Sequence, residues 1–136
     1  MAHLMKARDV FYKVAKKDIV CHPFKIMMRS GEYAAGDYYF LSIKNVLRAI
    51  KIEGPDLQII EIDSYENVGT KAEILQFKRE GSSIRVRKSI IAGHNLWRDD
   101  FEGRGVRYEV FVSDSLQREI KKAKLTGVKF TELIET

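Results

Sequence analysis

The groups of this chain that could do chemistry gather in a few short stretches. Asp99, Asp100 and Glu102 form a local acidic cluster just after His94. An imidazole beside carboxylates is the raw material of general base catalysis. Catalysis also needs a nucleophile, a base and an orienting group within mutual reach. No GxSxG elbow, HExxH pair or phosphate-binding P-loop is present. The cluster therefore reads as a charged loop, either solvated or used to bind a partner. Arg85, Arg87 and Lys88 could hold phosphates, but no aromatic platform interleaves with them as single-strand binders require. They read as an exposed strand face or edge, where charge discourages unwanted pairing. The histidines are His3, His22 and His94. Only Cys21-His22 brings two metal-ligating types together, and neighbours on a strand point to opposite faces. Gly93, Gly103 and Gly105 lack the strand–glycine–helix context of a dinucleotide fingerprint. No catalytic residue, metal or other cofactor is expected. Arg85, Arg87, Asp99, Asp100 and Glu102 are the candidates for a partner-binding surface.

The elements that must position these groups are clearest at the end of the chain. Tyr108, Val110 and Val112 alternate with Glu109 and Phe111, which predicts a strand. Ser113 or Asp114 offers a side-chain oxygen to cap a helix. Leu116, Ile120 and Ala123 line one face of that helix, and Lys121, Lys122 and Lys124 suit its last turn. Gly127 can take the left-handed conformation that ends it, with Val128 and Phe130 in a final strand. Helical spacing of Ala7, Val10, Phe11, Val14 and Ala15 favours a first helix over Lys6 to Lys17, while the aromatic and branched residues of DVFYKV also allow a strand. Pro23 disfavours helix at His22, so Phe24 to Met28 reads as a strand closed by a turn at Arg29 to Glu32. Asp37 to Leu41 looks extended. Ser42 then caps a short helix with Ile43, Val46, Leu47 and Ile50 on one face, ended by Gly54-Pro55.

Leu57 to Ile62 is a short apolar strand. Ile74 to Lys78 and Ile84 to Ile91 form a hairpin at about 74–91, with Glu80 to Ser83 as its turn. Ala92 to Arg107 reads as a polar, glycine-punctuated loop with a helical turn at Leu96. Trp97 reads either as a core plug beneath that loop or as a binding anchor, the plug being favoured. The elements do not alternate regularly. The expected fold is therefore α+β, with a mainly antiparallel sheet and two or three helices, one at about 114–124.

A length of 136 residues fits one domain with a sizeable core. Met5 reads as the native start, with residues 1–4 a cloning scar, and 1–136 as a single domain. Cys21 is the sole cysteine, which rules out an internal disulfide and suits a reducing compartment. No apolar run approaches the ~20 residues of a membrane helix, and no signal peptide is recognisable. A cytoplasmic protein that does not engage a membrane is expected. The net charge is +5, but it is unevenly spread. Residues 30–77 carry eight acidic and four basic side chains between two basic ends. That pattern suits a protein partner read by charge complementarity, and specific nucleic-acid binding is not expected.

The residues Phe111-Val112-Ser113, the helix to Lys124 and the tail Leu125-Thr126-Gly127-Val128-Lys129-Phe130 resemble the ending of bacterial immunity-protein family eleven. His94-Asn95-Leu96-Trp97-Arg98 is similar to a short element upstream in that family, and Tyr38 to Val46 to its tyrosine-rich segment. The resemblance runs from about Asp37 to Leu133. Lys51 after Ile50 departs from the family pattern, and the N-terminal third shows no match. The resemblance implies a non-enzymatic protein that binds and blocks a cognate toxin by occlusion. It also implies structural roles for Trp97, Arg98, Phe111, Val112, Ser113, Gly127 and Phe130. Two other readings stand beside it: a small basic nucleic-acid-binding domain, and an enzyme using the Asp99–Glu102 loop.

Overall fold

The computed structural model describes residues 7–52, 57–64, 66, 68–77 and 84–136. In chain order its elements are α1 (Ala7–Ala15), β1 (Ile19–Phe24), β2 (Tyr38–Ile43), β3 (Val46–Leu47), β4 (Ile50–Lys51), β5 (Leu57–Asp63) and β6 (Lys71–Phe77). There follow β7 (Arg85–Val86), α2 (Lys88–Ile91), β8 (Leu96–Asp99), β9 (Phe111–Val112), α3 (Asp114–Lys122) and β10 (Ile134–Glu135). Three helices with mainly antiparallel sheets make this an α+β fold. No helix among the described residues is long and apolar enough to cross a membrane. The chain divides into two compact units, each assembled from segments distant in sequence.

The first unit comprises Met1–Asn45, His94–Arg98 and Val110–Gly127. Its helices α1 and α3 pack together, burying Val10 and Ala15 from one and Leu116 and Ile120 from the other. Lys13 Nζ meets Glu119 Oε2 at 3.0 Å between them. Strands β1 and β2 pair antiparallel, from Ile19 opposite Ile43 to Phe24 opposite Tyr38. The ribbon continues through Ala34 N to Ile26 O (2.8 Å) and Met28 N to Glu32 O (2.8 Å). It turns at Gly31, whose φ of +86° only glycine adopts without strain. Ser113 caps α3, its Oγ accepting from Leu116 N at 3.2 Å. Strand β8 meets β9 at Leu96 opposite Val112 and Trp97 opposite Phe111, and the Trp97 and Phe111 rings stack at 5.8 Å.

The second unit comprises Val46–Gly93, Asp99–Glu109 and Val128–Thr136. Strands β5 and β6 form its long hairpin, from Leu57 opposite Phe77 to Asp63 opposite Lys71. Strand β7 lies between β4, antiparallel, and β10, parallel. Its alternation is simple: Ile84 and Val86 are buried and Arg85 is exposed.

Several expectations change. The helix capped by Ser42 does not form; the stretch is extended through β2, β3 and β4. Its donors have other acceptors: Lys44 N bonds Asp18 O at 2.8 Å, and Ala49 N and Ile50 N bond a carboxylate at 2.8 and 3.1 Å. β-Branched Ile43, Val46 and Ile50 suit that extension. The hairpin at about 74–91 is also replaced. Strand β6 pairs back with β5, and β7 pairs with β4 and β10. Lys88 to Ile91 turn into α2, since Arg87 N bonds Ala49 O (2.8 Å) and Lys88 N bonds Thr136 O (3.0 Å). The turn expected at Glu80 to Ser83 and the stop at Gly54-Pro55 lie outside the described residues. Leu96 begins a strand rather than a helical turn. The strand expected from Tyr108 shrinks to Phe111–Val112, with Tyr108 98% exposed. The first strand falls at Ile19–Phe24, earlier than Phe24 to Met28.

Helix α3 stops sooner than the glycine suggests. Ala123 is its C-cap, Lys124 is left-handed at φ +55°, Lys124 N bonds Lys121 O at 3.0 Å and Leu125 N bonds Ile120 O at 3.3 Å. That is a Schellman ending with lysine where glycine is usual. Gly127 is left-handed too, at φ +79°, but lies beyond the helix, and the final strand is Ile134–Glu135 rather than Val128 to Phe130. Lys124→Gly is therefore expected to stabilise the fold by about 1 kcal/mol, relieving a left-handed side chain. Gly127→Val is expected to cost about 1–3 kcal/mol. Thermal melting checks both: the first variant should melt higher than the native chain and the second lower.

Candidate partner-binding site

Each unit is organised by a buried carboxylate. In the second unit Asp99 is 0% exposed. Its Oδ2 accepts from Ala49 N (2.8 Å) and Ile50 N (3.1 Å), and its Oδ1 from Phe101 N (2.8 Å). Burial pushes the Asp99 carboxyl above its ordinary range, the three amides oppose that, and the Asp100 charge adds to it. Asp100 behaves oppositely. Arg48 Nη2 donates to its Oδ2 at 2.9 Å, and Arg48 Nε reaches both oxygens at 3.1 and 3.2 Å. This fork holds Asp100 below the usual carboxylate range. Glu102 accepts from Arg87 Nη2 at 3.0 Å, and Arg87 Nη1 donates to Ile50 O at 3.2 Å. Phe101 and Glu102 are both left-handed, at φ +49° and +57°. Such residues cost about 1–3 kcal/mol each unless their surroundings fix them. The amide bond to Asp99 and the Arg87 pair do so here.

In the first unit Asp18 is 1% exposed. Its Oδ1 accepts from Asn45 Nδ2 at 2.6 Å and its Oδ2 from Asn95 N at 3.2 Å. Asn95 Nδ2 donates to Val14 O at 3.0 Å, and Ser113 Oγ donates to Asn95 Oδ1 at 2.8 Å. His94 Nδ1 lies 3.8 Å from Asp18 Oδ1, too far for a hydrogen bond. His94 belongs to the first unit and the Asp99–Glu102 loop to the second. Among the described residues no group of three or more His, Cys, Asp or Glu could hold a metal ion.

The candidate surface residues thus divide. Asp99 is buried and cannot touch a partner, which corrects its place among them. Asp100, Glu102 and Arg87 are partly exposed, but Asp100 is paired with Arg48 and Glu102 with Arg87. Arg85 is exposed on β7. Trp97 is buried, Phe111 and Ser113 hold β8 and α3 in place, and Arg98, Val112 and Phe130 are half-buried. Asp18 and Arg48 were not singled out by sequence reasoning. A lone Asp between lysines and a strand carries no signal that it will be buried.

Asp99→Ala is expected to destabilise by about 3 kcal/mol or more, since three buried amides lose their acceptor at ~1 kcal/mol or more each. Asp99→Asn keeps one accepting oxygen and should fall between; chemical denaturation ranks the three. The pH response follows from the directions above. Asp100, held low when folded, contributes stability above its unfolded value near ~3.9 that is lost as pH falls through the folded one. Asp99, held high when folded, weighs against folding as pH rises through its folded value. Arg48→Gln should move the Asp100 carboxyl titration, followed by NMR, up towards the ordinary value.

The sequence model of the immunity protein family (Imm11) matches residues 5–135. The match takes in the N-terminal third, which the motifs had left outside the resemblance. No curated protein and no solved structure matches the chain. With nearly its whole length covered, the chain belongs to the Imm11 immunity protein family.

Proposed function

We propose that the protein binds a cognate toxin domain and neutralises it by occlusion, performing no chemistry of its own. The match to an immunity family over residues 5–135 carries this reading. The site geometry is in keeping with it. The acidic cluster that could have suggested an enzyme is engaged in structural bonds: Asp99 with three amides, Asp100 with Arg48 and Glu102 with Arg87. Serine Ser113 is spent as a helix cap and as donor to Asn95. An inhibitor acts by covering a surface, for which a stable contact area of standard size suffices.

The test is co-expression with the toxin domain encoded beside this gene. Growth should be restored, and the two chains should co-purify as a stable complex. The toxin, released from that complex by denaturation and refolded, should regain full activity with unchanged mass. Failure to restore growth would contradict the reading. A toxin that returns covalently altered would make the protein an enzyme.

A further inference from the structure

The outward face of the β1–β2 ribbon is unusually apolar for exposed sheet. The register puts Ile19, Cys21 and Pro23 on one face with Ile43, Leu41 and Tyr39, and Val20, His22 and Phe24 on the other with Ser42, Phe40 and Tyr38. The first face is turned to α1. Tyr39 Oη accepts from Arg8 Nη1 of α1 at 2.8 Å, and the Arg8 guanidinium lies over the Tyr39 ring at 4.8 Å. On the second, Val20, His22, Phe40 and Ser42 are exposed and Phe24 and Tyr38 half-buried. On it Phe40 is 63% exposed, stacked on Phe24 at 4.3 Å, with Tyr38 tilted against Phe24 at 5.8 Å. Beyond Phe24 the ribbon carries exposed Ile26 and Met28, which keep the parity of Phe24, whereas the exposed pair Met27 and Tyr33 has the opposite parity.

Charge at the ends of this strip is one-sided. Lys16 and Lys17 immediately precede β1, Lys44 follows β2 and Arg29 stands at the tip; all are exposed and none is in an ion pair among the described residues. Lys25 lies over the Tyr33 ring at 5.4 Å. Only Glu32 and Asp37 oppose them on the ribbon. Exposed aromatic and methionine side chains in one strip, rimmed by charge, mark a protein-binding surface.

We infer that this outward face of the β1–β2 ribbon is the toxin-binding surface, its Phe40 and Met28 entering apolar depressions of an acidic toxin surface that pairs with the rim lysines and Arg29. The inference rests on the proposed function. A protein partner fits better than nucleic acid. Phe24 and Phe40 lie 23° from parallel and cover one another's faces, and the rest of the strip is aliphatic or methionine rather than a row of open rings.

The test uses the full chain and the toxin domain encoded beside its gene. Phe40→Asp and Met28→Asp should each weaken binding roughly thirtyfold or more, the scale of an anchoring residue. Tyr108→Asp, equally exposed but in the other unit, should bind as the native chain does. All three should melt at the native temperature. Lys16→Glu with Lys17→Glu should slow association and lessen its dependence on salt. Native-like toxin affinity in both Phe40→Asp and Met28→Asp would overturn the inference while leaving the function intact. Loss of binding to anionic phosphatidylserine vesicles or to oligothymidine in those variants, with toxin binding unaffected, would overturn it in favour of a membrane or nucleic-acid surface. A native chain that fails to bind the toxin would overturn the function and this inference together.

Discussion

Two carboxylates removed from water set the terms for the rest of the structure. An ionised carboxylate taken out of water loses several kcal/mol of solvation, which only aimed donors offset. Asp18 finds an asparagine side chain and the Asn95 amide; Asp99 finds three backbone amides. Apart from the Phe101 amide, two residues from Asp99, the donors come from segments far apart in sequence, so neither carboxylate is fully satisfied until its unit has assembled. That fixes the chain where regular pairing cannot, since several strands have only two residues. Removing either acid leaves its donors buried and unmatched, which is worse than never having had them.

A consequence is a division between charge used inside the molecule and charge left free. In the second unit the acidic loop and its arginines consume one another: Arg48 with Asp100 and Arg87 with Glu102. These pairs are partly solvated, so they add little stability each, but they hold two left-handed residues and shape the loop. In the first unit the arrangement is reversed. Its buried acid takes neutral partners, and the lysines beside the β1–β2 ribbon stay exposed next to uncovered aromatic and methionine side chains. A surface of that kind is costly to expose and gains when a partner covers it.

Local signals were legible where local interactions decide. The first helix, the Ser113 cap, the apolar face of α3 and the burial of Trp97 could all be read from spacing and residue type. The burial alternation of Ile84, Arg85 and Val86 was legible too, but not their partners, because β4 and β10 come from distant segments. Helix was misread at Ser42 to Ile50 because an i, i+3, i+4, i+7 pattern says nothing about where the amides go. Asp99 and Asp100 look alike in sequence, yet one is sealed in and the other forks with Arg48. The outcome depends on Ala49, Ile50 and Phe101 arriving together. Lys124 ends its helix where glycine is the usual signal, so attention fell on Gly127 instead. The ribbon face was invisible because its alternation becomes meaningful only once Arg8 and Tyr39 show which side is inward.

Amide hydrogen exchange of the full chain, alone and with the toxin domain encoded beside its gene, tests toxin binding through the ribbon most directly. Ala49, Ile50 and Phe101 amides should be protected in both states, because their acceptor is internal. New protection on toxin binding should fall on Ile19 to Ile43. No added protection anywhere in that stretch, with protection appearing instead over Asp99 to Arg107, would contradict binding through the ribbon and return the arginine–carboxylate loop as the contact surface.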